Sequence, residues 1–485
     1  MRRYRDRLLA APARLWAWLG LAALSAGAAV GYVTYPTFPT YDTLYSLIWG
    51  REIAHGHLPS FEAYRAPTQH PLYVLAGVIL TPFGHHADRI MIAITIASFV
   101  ALVAALYRLG KALAGPLVGF VAAGLTLTRL DFPYFAAVGY VDISYLACVF
   151  WAAALEAERP RRGTAVWVLL AMAGLLRPEG WLLLGVYVLW MGWHASWAQR
   201  ARYVAYAAVA PVLWAASDAI VTGNPLYSLQ YTSRSAQDLG RGKPLHDLPS
   251  LAITYLSEIT KPYLLVAAAI GAVLAWRLGQ RRFALVGVLF VCGAVSWLVI
   301  ATGGLATVYR YMAVAGLSAL LPAAFALGGF TVLPTGSRWR RLWMAGSAFI
   351  VFWGIVFTAT HLSTRHIRHD LRLRHDAHTK LVALLKDPPV AAARHCGPIA
   401  LPNQKVIPDI RWEFNLPESA VIARSDAKQA KRATRGIEIE VIGPLFNHPA
   451  YGPLIQQNDN PLIAVPGPGF RYITHNRMYA AYERC

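Results

Sequence analysis

What most limits the fold of this chain is repetition: stretch after stretch of roughly 20 apolar residues, joined by short arginine-bearing loops. Runs near 14–34, 89–107, 112–128, 142–156, 164–177, 180–196, 203–221, 262–277, 282–302, 310–333 and 342–362 are read as membrane spans. The composition agrees, since 14% of residues are charged where soluble domains carry about a quarter. The expected fold class is mainly α, a polytopic transmembrane helical bundle of eleven spans with a small C-terminal extracytoplasmic α/β domain. Segment 71–83, PLYVLAGVILTPF, is too short for a span and is expected to be interfacial or re-entrant.

Charge placement sets the expected topology. With 71–83 not crossing and Arg2, Arg3, Arg5 and Arg7 cytoplasmic, one side collects Arg108 with Lys111, the Arg159–Arg162 group, Arg200 with Arg202, the Arg277–Arg282 group and the Arg338–Arg341 group. The opposite short loops carry one arginine each, Arg129, Arg177 and Arg310. A net charge of +20 distributed this way, with 17 of 45 Lys and Arg beyond residue 362, marks topology and membrane surface and excludes a nucleic-acid stripe. Of 14 acids before residue 363, only Asp6, Glu156 and Glu158 fall inside. Acids do little to set orientation, so their outward bias predicts an outward-facing polar cavity.

Residues 1–362 form the expected membrane module, with a first external loop over 35–88 and a second over 222–261. The first loop holds two interfacial helices, about 42–55 and 71–83. Leu44, Tyr45, Leu47, Ile48 and Ile53 supply a membrane-facing side of the former. The second loop, rich in Gly, Pro and polar residues, reads as a flexible loop or lid. From 363 to 485 the chain turns soluble: a basic amphipathic helix ended by Pro388-Pro389, then β-like runs GPIALP, SAVIA, IEIEVI and PLIAVPG. Cys148 and Cys292 sit in apolar spans; Cys396 and Cys485 bracket the external domain, where a disulfide between them is expected and two free thiols are the alternative. ALSAGA resembles a signal-peptidase site, but the long run around it reads as an uncleaved anchor.

An acid just after the first span, in YDTLYSLIWGREIAHG with HPLY following, and a second acid opening a later span, in GYVDISYL, resemble the GT-C superfamily of integral-membrane glycosyltransferases. LRPEGW, TGNPLYSL and VYRYM resemble outer-rim segments of bacterial members, and the likeness covers about 14–333. The resemblance implies a bacterial plasma-membrane enzyme that moves one sugar from a polyprenyl-phosphate donor to a cell-envelope glycan, glycolipid or protein, with inversion. A lipid-linked glycan flippase or transporter, and a non-catalytic envelope-assembly subunit, are the alternatives. No inverted repeat and no G-x-x-x-x-G-K-[ST] loop favours transport.

Such transfer needs a base for the acceptor hydroxyl and cations for the leaving phosphate. Asp42 is the expected base, against the plainer reading that it caps the helix beside it. Asp142 is expected to orient donor or acceptor, and Asp131 is a weaker version, each against a simple helix-dipole role. Arg310, flanked by Tyr309 in YRY, is the expected phosphate ligand, with snorkelling as its alternative. Arg177 and Glu179 either meet substrate or pair with each other; Arg129, and Lys243 with Arg241 in the second loop, are further candidate cations. His70 is read as a hydrogen-bond partner for a sugar, and Trp49 as a candidate stacking platform because it shares a helix with Asp42. His55-Gly-His57 has no recognised ligand spacing. Thr43 also stands where many GT-C members carry a second acid, so no cofactor is assigned and a divalent metal is not favoured. Asp218, costly to bury alone, is expected to face the cavity.

Overall fold

A computed structural model describes residues 2–238, 242–305, 307–361, 363–452 and 461–485; Arg241 lies outside them. The membrane part runs α1 (Arg2–Thr34), α2 (Tyr41–Ala54), α3 (Pro71–Leu80), α4 (Ala87–Ala114), α5 (Pro116–Leu127), α6 (Asp131–Ala137), α7 (Val141–Glu158), α8 (Thr164–Leu176), α9 (Gly180–Gly192) and α10 (Trp197–Thr222). It continues through α11 (Tyr227–Asp238), α12 (Leu248–Thr260), α13 (Pro262–Arg277), α14 (Phe283–Thr302), α15 (Ala313–Gly328) and α16 (Arg338–His361). Each expected span is a helix. Six helices among the described residues are long and apolar enough to cross a bilayer, or eight if each of two sharply bent pairs counts as one. The chain is a multi-pass membrane protein, and its centre is α4, α5, α7 and α15, where Leu102, Leu106, Val149, Phe150, Leu317 and Phe325 are fully buried.

Local chemistry sets the boundaries. Proline opens α3, α5 and α13, where its missing N–H costs nothing. Ser196 and Gln199 cap α10 reciprocally. Gly84, with φ 54° and ψ −131°, breaks the apolar stretch between α3 and α4, so 71–83 is separated from the long helix that follows.

Two expectations about the external loops change. Helix α2 does not face lipid: Leu44, Tyr45, Leu47 and Ile48 are buried, and Ile53 alone of that set stays exposed. The helix packs backbone to backbone on α3, where a Cβ at Gly50 would stand 2.3 Å from the Gly77 carbonyl carbon. The 222–261 loop is not a structureless lid, because α11 and α12 occupy most of it. The Tyr, Leu and Ser spacing of YSLQYTSRSAQD makes an amphipathic helix that the Gly and Pro at its borders obscured.

Beyond the bundle lie α17 (Arg365–Lys386), α18 (Pro388–Ala393), β1 (Ile399–Leu401), α19 (Ile407–Phe414), β2 (Val421–Ala423), α20 (Ala427–Ala430), β3 (Gly436–Val441), β4 (Arg471–His475) and β5 (Tyr479–Arg484). The sheet has order β2-β1-β3-β5-β4, with β1 parallel to both neighbours and β5 antiparallel to both of its own. Leu381, Leu385, Ile399, Ile410, Ile437 and Tyr479 form its core. Segment 461–464 of PLIAVPG is a 3₁₀ turn and not a strand. Cys396 and Cys485 are bonded, their Cα atoms 5.1 Å apart.

This part is tied to α2. Arg411, fully buried, donates to Glu52 at 2.7 Å and to Ser60 at 3.1 Å. Arg51 donates back to the carbonyls of Arg411 and Trp412 at 2.9 and 3.0 Å. His378 stacks on Phe38, ring centres 3.7 Å apart.

Candidate active site

Two acids a hundred positions apart in sequence are brought together by one sharp reversal. Helices α6 and α7 meet at 120°, and the bend turns on Gly139, whose φ of 81° is in the left-handed region. The strand-like entry to α2 is stitched to that bend: Thr40 N–H donates to the Val138 carbonyl at 2.9 Å and the Thr43 hydroxyl to the Gly139 carbonyl at 2.6 Å. A side chain at Gly139 would press on Thr43, 3.3 Å away. Thr40 holds the N-cap position, so Asp42 sits in the first turn with no capping bond from its carboxylate. That carboxylate has no hydrogen-bond or ion-pair partner among the described residues, and it lines a cavity.

The cavity has a volume of about 450 Å³. Asp142 lies just behind it, buried, with Arg177 and Arg310 interposed and lining both spaces. Arg177 binds Asp142 through Nη1 at 2.6 Å and Glu179 through Nε and Nη2 at 3.1 and 2.6 Å. Its guanidinium also lies 4.3 Å from the centre of the Tyr311 ring. Arg310 is held more loosely: Nε stands 4.0 Å from Asp142 and the guanidinium 4.5 Å from the Tyr140 ring centre, with no closer carboxylate among the described residues. The two arginines and two acids cancel formally, yet hydrogen-bonding capacity is left over on both signs: Arg310 Nε is buried without an acceptor, and Asp142 Oδ2 and Glu179 Oε2 are buried without a donor.

His70 enters the cavity from the N-terminus of α3. Its Nδ1 donates to the Leu176 carbonyl at 2.7 Å, which leaves Nε2 as an acceptor facing the space. Burial holds His70 below the ordinary histidine value, against the upward pull of Asp42. The side opposite the bundle is closed by Arg374, Gln404, Lys405, Asp409 and Tyr451 from the C-terminal part, and Arg65 and Tyr231 complete the wall. Arg374 is braced by Asp370 at 2.8 Å and by the Tyr134 hydroxyl at 3.2 Å.

The structure thus gathers Asp42, His70, Arg177, Glu179 and Arg310 on one cavity with Asp142 at its back. It does not bring the other sequence candidates there. Arg129 is buried beside the turn that leads into α6, donating to the Thr128 carbonyl at 2.9 Å. Asp131 opens α6 outside the cavity. Tyr309 packs towards Phe135, and it is the neighbouring Tyr311 that reaches the cavity. Trp49 is fully buried, edge-on to Phe61 at 4.9 Å, with no face to offer a sugar. Lys243 is exposed away from the wall. Asp218 is buried and turned from the cavity, accepting from Gln69 at 2.6 Å and from the Ser228 N–H and hydroxyl at 2.9 and 2.7 Å; it fixes the start of α11. Of the two tyrosines that flank Arg310 in YRY it is thus the second that lines the cavity, and sequence reasoning missed Arg65, Tyr140, Arg374 and Gln404. Tyr140 lies two positions before Asp142, whereas Arg65 and the C-terminal residues carry no local signal.

Among the described residues no three His, Cys, Asp or Glu side chains come together as a metal set. No family model matches the sequence, and no curated protein does. Solved structures do match, and the likeness is one of fold, a helical membrane bundle carrying a small C-terminal sheet. ArnT from Cupriavidus metallidurans, solved bound to undecaprenyl phosphate, aligns over 96% of this chain and 97% of its own with 12% identity and a TM-score of 0.52. An Archaeoglobus fulgidus oligosaccharyltransferase, solved tethered to an acceptor peptide containing the NVT sequon, aligns over 96% of this chain and 74% of its own, with 12% identity and a TM-score of 0.43.

Proposed function

We propose that the protein is an extracytoplasmic glycosyltransferase of bacterial plasma membranes, moving a single sugar from a polyprenyl-phosphate donor to a hydroxyl of a cell-envelope glycan, glycolipid or protein. The observation that carries this reading is the unpartnered Asp42 carboxylate in a cavity whose facing wall holds Arg310. The fold shared with a protein solved bound to undecaprenyl phosphate supports the donor class. The positive loops on one side and the acid-lined mouth on the other support the orientation.

In this mechanism the acceptor hydroxyl attacks the anomeric carbon as Asp42 takes its proton. The bond from that carbon to the phosphate oxygen breaks, and its electron pair leaves on the phosphate. Attack from the face opposite the leaving group inverts the anomeric centre. Arg310 meets the charge growing on the phosphate with a directed pair of N–H donors, an interaction that strengthens as the bond breaks. Asp142 does not touch substrate in this account: it is a positioning residue, holding Arg177 and lying 4.0 Å from Arg310 Nε. The Nε2 of His70 accepts a hydrogen bond from a sugar hydroxyl.

The test is transfer itself. The full chain, purified and placed in liposomes with an envelope lipid extract, is offered radiolabelled polyprenyl-phosphate hexoses and pentoses in turn. Label moving to an acceptor from one of them supports the reading. No transfer from any of them, by protein shown to be folded, overturns it.

A further inference from the structure

A second hollow, about 620 Å³, opens between α13, α14 and α15 at the level of the α13–α14 turn. Its floor includes Ala268, Ala275, Val286 and Ala319, all buried. Its sides are kept open by small residues, and Gly287 leaves bare backbone there, with nothing within 4 Å of where its Cβ would stand. This is volume on the scale of a ligand pocket, lined almost wholly by carbon.

Its mouth is cationic. Arg281, exposed in the turn between α13 and α14, lines the hollow and has no hydrogen-bond or ion-pair acceptor for its guanidinium among the described residues. Arg277 and Arg282 stand beside it. Arg282 is occupied by the Ala112 carbonyl at 2.7 Å, and Arg277 lies over the Trp276 ring. Not one Asp or Glu occurs from residue 262 to 302, so this end of the helix pair carries no countercharge of its own.

We propose that this hollow holds an anionic phospholipid of the bilayer, one acyl chain in the apolar space and the phosphate on Arg281. Basic pockets between membrane helices recognise lipid headgroups by this pairing of charge and grease. A zwitterionic lipid would bring its ammonium to three arginines. A polyprenyl-phosphate sugar seated here could not be reacted, because α14 carries the chain about 25 Å, at 1.5 Å per residue, from Phe283 beside the hollow to Ile300 at the catalytic cavity. The proposal therefore stands apart from the glycosyltransferase reading.

The full chain in detergent, titrated with 1-palmitoyl-2-oleoyl-phosphatidylglycerol or the matching phosphatidylcholine and read by native mass spectrometry, tests it. Wild type is expected to hold the phosphatidylglycerol about tenfold more tightly. Arg281→Ala is expected to abolish most of that preference, and Gly287→Trp to lower retention of both lipids by filling the hollow. Ala284→Leu is a smaller plug that serves if the tryptophan variant does not accumulate. Equal retention of the two lipids by wild type, or retention unchanged in both Arg281→Ala and the plugged variant, overturns the proposal. Displacement of phosphatidylglycerol by an equal concentration of undecaprenyl phosphate also overturns it, and assigns the hollow to an isoprenoid instead.

Discussion

The ion pair between Glu52 and Arg411 joins the helix that carries Asp42 to the C-terminal part, and removing one partner has a calculable cost. Arg411 is wholly buried, with Nη2 on Glu52 at 2.7 Å and Nη1 without an acceptor. Breaking a buried pair by deleting one charge costs about 3–5 kcal/mol, because the other charge is stranded. The Glu52 side chain keeps 21% exposure, so water recovers part of the loss and Glu52→Gln is expected to cost about 2–3 kcal/mol. The sharper expectation is a reversal. Adding Arg411→Met to Glu52→Gln removes the stranded charge and replaces it with apolar volume, so the double variant is expected to be about 1–2 kcal/mol more stable than Glu52→Gln alone. Pulse proteolysis across a urea series, on detergent-purified full chain, reads this from cleavage after α16. A double variant no more stable than the single one would refute the account of how these two parts are held together.

Glu440 in β3 supplies a pH signature. Burial pushes its carboxyl up to about 7, against the pull of Arg424 and with a further push from Glu438. A folded value above the unfolded one means its contribution is full below about 4.5 and is lost as pH rises through about 7, so Glu440→Gln should flatten stability over that window. Comparing urea midpoints at pH 5 and pH 8 checks it. Replacing Cys396 and Cys485 with serine opens a loop closed across 89 positions, and should cost about 2–4 kcal/mol by the same assay. Gly77→Ala drives a Cβ to within 2.5 Å of the Ser46 carbonyl oxygen. It should separate α2 from α3 at a cost of about 1–3 kcal/mol, seen as a lowered melting temperature.

Helices were legible in the sequence because lipid demands long apolar runs, and the acids of the first loop and of α7 because they interrupt greasy surroundings. What linked them was not legible. The 120° reversal at Gly139 depends on a positive φ and on hydrogen bonds from Thr40 and Thr43, which no hydrophobic period records. Helix α2 was misread as membrane-facing because its apolar residues fit lipid and a protein interior equally well; only the docking of α19 and α3 separates the two. The same ambiguity misled the reading of Trp49, whose burial against Phe61 is a tertiary fact. Arg374 and Gln404 reach the cavity from a part of the chain whose placement no local pattern encodes.

Initial rates for wild type, Asp42→Asn and Arg310→Lys, measured with whichever polyprenyl-phosphate sugar the wild type turns over, test the central claim most directly. Loss of a general base predicts that Asp42→Asn falls about 10²–10⁴-fold in rate while still binding undecaprenyl phosphate as the wild type does. An Asp42→Asn rate within about threefold of wild type, well short of any general-base effect, would contradict the claim that this carboxylate takes the acceptor's proton.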